Sequence, residues 1–233
     1  MFLVPELLGM AFFASLAANG ADDSAFVRAR EEMVATQIAA RGVKDPKTLA
    51  AMRKVPRHLF VPESARGQAY EDHPLGIGHG QTISQPYIVA FMTEAAGLRG
   101  GESVLEIGTG SGYQAAVLSQ IAARVFTIEI VAPLAASSAA LLKRLGYANV
   151  SVRAGDGYLG WPEAAPFDAI LVTAAAPKIP APLKEQLKDG GRLVLPVGDD
   201  WQELVVVTRR GERFEENRVL AVRFVPMTGK VRQ

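Results

Sequence analysis

Three alternate glycines in Gly108-Thr109-Gly110-Ser111-Gly112 follow the apolar run Val104-Leu105-Glu106-Ile107 and precede a helical pattern from about Gln114 to Ala122. This context predicts a strand-to-helix turn. Glycines there let the chain bend sharply and let a ligand approach without a Cβ in the way. The free N–H groups of the helix start favour an anionic group. The loop suits a polar, partly anionic ligand; a tight connection with no ligand is the plain alternative. Its spacing is G-x-G-x-G, not the dinucleotide fingerprint G-x-G-x-x-G, and Tyr113 stands where pyrophosphate needs a small residue. Both features argue against NAD.

Two acids stand where the next strands should end. Glu129 lies 21 positions after Gly108, at the end of a strand predicted over Val125 to Ile130. A carboxylate there can accept both ribose hydroxyls of an adenosyl group. Asp156, in Gly155-Asp156-Gly157, follows a third strand over Val150 to Arg153. It could accept from the exocyclic amine of adenine. A solvated strand-end acid and a simple Asp-Gly turn are the alternatives.

Other chemistries find little support. The chain has no Cys, which excludes thiolate nucleophiles, disulfides and iron–sulfur ligation. His58, His73 and His79 are widely spaced beside prolines and glycines and lack an acidic helix motif, so no metal is expected. Trp161 and Trp201 read as packing residues, and Arg209, Arg210 and Arg213 as a solvated basic turn.

The elements that must position the loop follow from periodicity. Phe26, Met33, Val34, Ile38 and Ala39 recur at helical spacing between Asp22 and a capping Gly42. A second helix covers Pro46 to Met52, before Val55-Pro56-Arg57-His58-Leu59-Phe60-Val61-Pro62 breaks the pattern. Pro74 to Pro86, with Gly76, Gly78 and Gly80, reads as a loop, and Tyr87 to Ala96 as a helix. After Gly101 the pattern alternates. Helices are expected over Pro133 to Leu145 and Pro182 to Leu187. Strands are expected over Phe167 to Thr173, Arg192 to Pro196, Glu203 to Thr208 and Val219 to Val225, with a Gly190-Gly191 turn. This predicts an α/β fold: a doubly wound, mostly parallel sheet with helices on both faces and an N-terminal helical segment.

The 233 residues suffice for one domain, and 49% hydrophobic with 21% charged residues is an ordinary globular composition. Twenty-five basic against 24 acidic residues give a formal charge of +1, too weak a field to hold nucleic acid nonspecifically. Leu7 to Ala18 is apolar and followed by small residues, as in a signal peptide, but Met1 to Val27 holds no Lys or Arg. A cytoplasmic protein is expected, with export to the periplasm as the alternative. The stretch is too short for a stable membrane anchor.

Val104 to Tyr113, read with Phe167-Asp168-Ala169-Ile170-Leu171-Val172-Thr173-Ala174, resembles the seven-strand, Rossmann-like S-adenosylmethionine methyltransferases. More narrowly, Gly78-His79-Gly80-Gln81-Thr82-Ile83-Ser84-Gln85-Pro86-Tyr87 resembles the signature loop of protein-L-isoaspartate O-methyltransferases. The likeness extends from about Arg28 to Thr228, taking in Val55-Pro56-Arg57, Phe60-Val61-Pro62 and Leu193 to Gly198. It implies methyl transfer from S-adenosyl-L-methionine to the free carboxylate of isoaspartyl residues in damaged proteins and peptides. It further implies catalytic roles for Ser84 and Thr82. Gly108, Gly110, Glu129, Asp156 and Gly157 would be cofactor contacts, and Thr228 a residue closing the cofactor site. His79 departs from the Gln of many bacterial members. On this reading residues 1–21 are an extension. Residues 22–233 are one domain, divided into a substrate-side segment at 22–97 and a cofactor-binding core at 98–233. Another methyl acceptor, or a silent cofactor-binding domain, is the competing interpretation. Oligomeric state is left open.

Overall fold

The computed structural model describes residues 24–232. The N-terminal extension, its apolar stretch and the expected helix start at Asp22 lie outside the described residues. Helix α1 is α-helical over 24–32, widens to a π-helix at Met33–Ile38 and tightens to a 3₁₀ turn at Ala39–Arg41. Gly42 ends it at φ 100°, a left-handed conformation that glycine adopts at little cost. Helix α2 (Pro46–Lys54) starts on Asp45, whose carboxylate accepts from the Thr48 N–H at 2.7 Å. Proline at its first position loses no bond, because that N–H has no partner within a helix.

Seven strands form the main sheet: β3 (Ser103–Ile107), β4 (Arg124–Glu129), β5 (Val150–Ala154), β6 (Phe167–Val172), β7 (Leu187–Val197), β8 (Gln202–Arg210) and β9 (Arg213–Val222). Their order is β5-β4-β3-β6-β7-β8-β9, parallel through β7 and antiparallel beyond. The chain thus winds outward from β3 to one edge and returns on its other side. Such a sheet opens a crevice at the carboxyl ends of the strands where the winding reverses.

Side chains alternate between two cores, as strand geometry requires. Val104, Val125, Ala169 and Val194 face a core shared with α1, α2, α3 (Pro86–Ala96) and α4 (Tyr113–Ser119). Leu105, Ile107, Ile170 and Leu193 face the other, covered by Leu183 of the short α6 (Ala181–Glu185), Met227 and Val231. Helix α5 (Ala132–Arg144) lies beside β5 and β4. Among the described residues no helix is long and apolar enough to cross a membrane.

Several local expectations need correction. The predicted loop after Pro74 contains a two-stranded hairpin, β1 (Leu75–Gly78) and β2 (Gln81–Ile83). Its tip residues His79 (φ 52°) and Gly80 (φ 69°) are both left-handed, the twist that suits a two-residue hairpin turn. Gly190-Gly191 is no separate turn but an irregularity within β7, between the pairs Phe167–Leu187 and Ala169–Arg192. The last strand ends at Val222 rather than Val225. Beyond it the Gln202 side chain accepts from the Phe224 N–H (2.6 Å) and donates to its carbonyl (3.2 Å), replacing the ladder. Arg213 belongs to β9, while the Arg209 guanidinium donates to the Leu187 carbonyl at 2.7 Å. Trp161 packs edge-on against Phe126, but Trp201 is 73% exposed and is not a core residue.

Candidate active site

The carboxyl ends of β3, β4 and β6 converge on the glycine loop. Gly108 lies at φ 97°, and a Cβ there would stand 2.4 Å from the Thr173 hydroxyl. That hydroxyl donates to the Gly108 carbonyl at 2.6 Å, closing β6 onto the loop. The Gly108 N–H donates to the Ile128 carbonyl at 2.8 Å, closing β4 onto it from the other side. From below, buried Arg57 donates through Nε to the Ala69 carbonyl at 2.7 Å and lies 4.9 Å over the Tyr113 ring. The N-terminal segment therefore braces the first residue of α4.

Glu129 is buried at the end of β4. One carboxylate oxygen accepts from the Gly110 N–H (2.7 Å) and the other from the Val131 N–H (2.9 Å). Each oxygen keeps a second lone pair for a ligand. Gly157 is also required to be bare, because a Cβ there would lie 2.3 Å from Ile107 Cγ2.

Gly108, Gly110, Glu129, Gly157, Thr228 and Thr82 line one cavity. Ile128, Ile130 and Met227 give it apolar walls, and Val225 to Thr228 form one side. A carboxylate at a strand end, bare backbone opposite it and an apolar slot match an adenosyl group, so the residues present fit S-adenosyl-L-methionine. As it stands the cavity measures about 70 Å³, below the ~300–1,000 Å³ usual for small-molecule sites. A nucleoside therefore needs the cavity to widen.

A larger groove of about 780 Å³ adjoins it, lined by Thr82, Ser84, Gln85 and Ile88 on one side and by residues 221–226 on the other. Thr82, Thr173, Val225 and Pro226 belong to both spaces. Ser84 lines the groove and not the adenosyl-type cavity; Thr82 joins them.

Asp156 stands slightly apart. Its Oδ1 accepts from the Tyr158 N–H (2.9 Å) and its Oδ2 from the Lys230 N–H (2.8 Å). It is a tether between the loop after β5 and the C-terminal segment that walls the cavity, and its side chain does not line that cavity.

Two residues escaped sequence reasoning. Thr173 is found by the rule that ligands sit where the winding reverses, since it follows β6 beside β3. Glu106 is fully buried beneath the loop. Its Oε2 accepts from the Thr127 hydroxyl at 2.5 Å, while Oε1 has no protein partner. Burial, with the Glu129 charge adding to it, pushes its carboxyl up to about 8. No group of three or more His, Asp or Glu among the described residues could hold a metal ion.

Comparison with known proteins agrees with this geometry. The family model described as protein-L-isoaspartate(D-aspartate) O-methyltransferase matches residues 28–232. A Shewanella sediminis protein named protein-L-isoaspartate O-methyltransferase 2 is 59% identical over 218 residues, covering 92% of this chain and 89% of its own. A protein-L-isoaspartate O-methyltransferase of Opitutus terrae is 59% identical over 213 residues, covering 91% of each. A solved protein-L-isoaspartate O-methyltransferase superimposes with a TM-score of 0.79 at 32% identity, over 87% of this chain and 67% of that one. A Plasmodium falciparum beta-aspartate methyltransferase, solved with S-adenosyl-L-homocysteine, gives a TM-score of 0.74 at 26% identity, over 85% and 98%. With the glycine loop, its strand-end acid and the adjoining groove all in place, this chain belongs to the protein-L-isoaspartate(D-aspartate) O-methyltransferase family.

Proposed function

We propose that Thr82 and Ser84 hold the isoaspartyl carboxylate at the wall shared by the two spaces. Gly108, Gly110, Glu129, Gly157 and Thr228 surround the adenosyl donor, and Asp156 secures its C-terminal wall. The reaction is the family's: methyl transfer from S-adenosyl-L-methionine to the free carboxylate of L-isoaspartyl residues in damaged proteins and peptides, which initiates repair. The observation that carries the residue assignment is that Thr82 lines both the cavity and the groove.

S-adenosyl-L-methionine supplies an electrophilic methyl group on a sulfonium. The acceptor is already ionised near pH 7, since ordinary side-chain carboxyls titrate near pKa ~4. No side chain need remove a proton. The task left to Ser84 and Thr82 is orientation: a hydroxyl donating to one carboxylate oxygen directs the other toward the shared wall. Alignment of this kind can contribute about 7–11 kcal/mol. The hairpin β1–β2, on which Thr82 sits, flanks both spaces on that side.

Residues 22–97 supply the hydroxyls and residues 98–233 most of the donor pocket, with 221–226 returning as the far wall of the groove. We propose a cytoplasmic location, with export to the periplasm as the alternative; mass spectrometry of the mature N-terminus separates the two. The activity is tested with labelled S-adenosyl-L-methionine and two peptides that differ only in isoaspartate or aspartate at one position. A base-labile label on the isoaspartyl peptide alone is expected. Labelling of neither, with the donor shown to bind, would turn the reading to another acceptor or a silent domain.

A further inference from the structure

Arg223 is the one charged side chain lining the larger groove among its described residues, and the methyl-transfer site makes no use of it. It is exposed, and its guanidinium forms no hydrogen bond or ion pair with any described residue. Its neighbours differ: Arg218 pairs with Glu203, Arg232 with Asp199 and Arg210 with Glu215. The backbone beneath Arg223 is nonetheless fixed. Val222 pairs with Gln202 across the sheet, and the same Gln202 side chain holds both polar backbone groups of Phe224. A free cation is thus presented from a set position into the space that also holds Ser84.

We propose that Arg223 is a specificity-determining residue that pairs with an acidic side chain of the substrate, one or two residues from the isoaspartate. This rests on the isoaspartyl reading given above. The acceptor carboxylate itself is the wrong partner. It must sit at the wall shared with the adenosyl-type cavity, which Thr82, Thr173, Val225 and Pro226 form, and Arg223 lines the groove but not that cavity. Direct pairing would also draw charge from the oxygen that must attack. A flanking carboxylate, farther along the groove, meets the guanidinium without that cost.

The test uses isoaspartyl peptides identical except for Glu, Gln or Lys at each of the two positions before and after the isoaspartate. Wild-type protein, Arg223→Gln and Arg223→Glu are compared in methyl transfer. The wild type should favour Glu over Lys in kcat/KM by about two- to fivefold at one or more positions, the range expected of an exposed pair. The preference should reside in KM, shrink in high salt, vanish in Arg223→Gln and reverse in Arg223→Glu. The Gln peptide should be methylated with an unchanged kcat by all three, which shows the variants intact. A Glu-to-Lys ratio indifferent to residue 223 at every position overturns the proposal. If the wild type methylates no isoaspartyl peptide at all, the reading beneath it fails and the proposal falls with it.

Discussion

The Thr173 hydroxyl donates to the Gly108 carbonyl at 2.6 Å, and a Cβ on Gly108 would lie 2.4 Å from that same hydroxyl oxygen. The bond that anchors the glycine loop to β6 therefore also forbids any side chain at its first glycine. Because φ at Gly108 is 97°, an L-residue is strained there even before the clash. Gly108→Ala should weaken binding of S-adenosyl-L-methionine at least tenfold by calorimetry and cost roughly 1–3 kcal/mol of stability. Wild-type affinity in this variant would show that the loop can shift away from Thr173 at no expense.

Ser84 lies in the groove but not in the adenosyl-type cavity. Removing its hydroxyl should therefore spare the donor and disturb the acceptor. Ser84→Ala is expected to lower kcat by about tenfold or more, in line with the loss of one orienting hydrogen bond, while the dissociation constant for S-adenosyl-L-methionine changes little. An unchanged kcat would remove Ser84 from the reaction.

Much of this arrangement is legible in the sequence because it is local. Val104 to Ile107, Gly108 to Gly112 and Glu129 are fixed by strand phase and by the distance between successive strand ends, and each stands where that pattern puts it. The hairpin Leu75–Ile83 is hidden because its strands are only four and three residues long and the hairpin carries three glycines, two in β1 and one in the turn, so turn composition outweighs strand propensity. The tether made by Asp156 is illegible for another reason: its partner Lys230 is 74 positions away. Thr173 looked like the end of an apolar run until the sheet order placed β6 beside β3. Pairings of this range come from topology, which periodicity does not encode.

Glu106 gives the protein a pH dependence of known sign. Its carboxyl titrates near 8 in the folded chain against 4.5 when free, chiefly through burial. Between those values the unfolded chain has released a proton that the folded chain still holds, so stability falls as pH rises through the window and levels off above it. Glu106→Gln keeps an acceptor for Thr127 and removes the ionisation. Its stability relative to wild type should rise from pH 5 to pH 8, by on the order of a few kcal/mol at most. Chemical denaturation at a series of pH values measures this; parallel curves for the two proteins would mean that Glu106 is not held neutral by burial.

Asp156 should govern how readily the donor enters and leaves. Its two oxygens tie the Tyr158 and Lys230 N–H groups together, and the segment it holds includes Thr228 and Met227, both walls of the cavity. That segment forms one side of the cavity, so a weaker tether should let this side open more readily for the donor. Asp156→Ala removes both bonds. Trypsin should then cut faster at Lys230 and Arg232 in the absence of donor, and the dissociation rate of S-adenosyl-L-homocysteine should rise several-fold. The remaining anchors, the Ala175 pairing to Val225 and Met227 and the burial of Val231, keep the variant folded. Were proteolysis to quicken while ligand dissociation stayed at the wild-type rate, the C-terminal wall would be a passive cover and entry would have to be controlled from the β1–β2 hairpin instead.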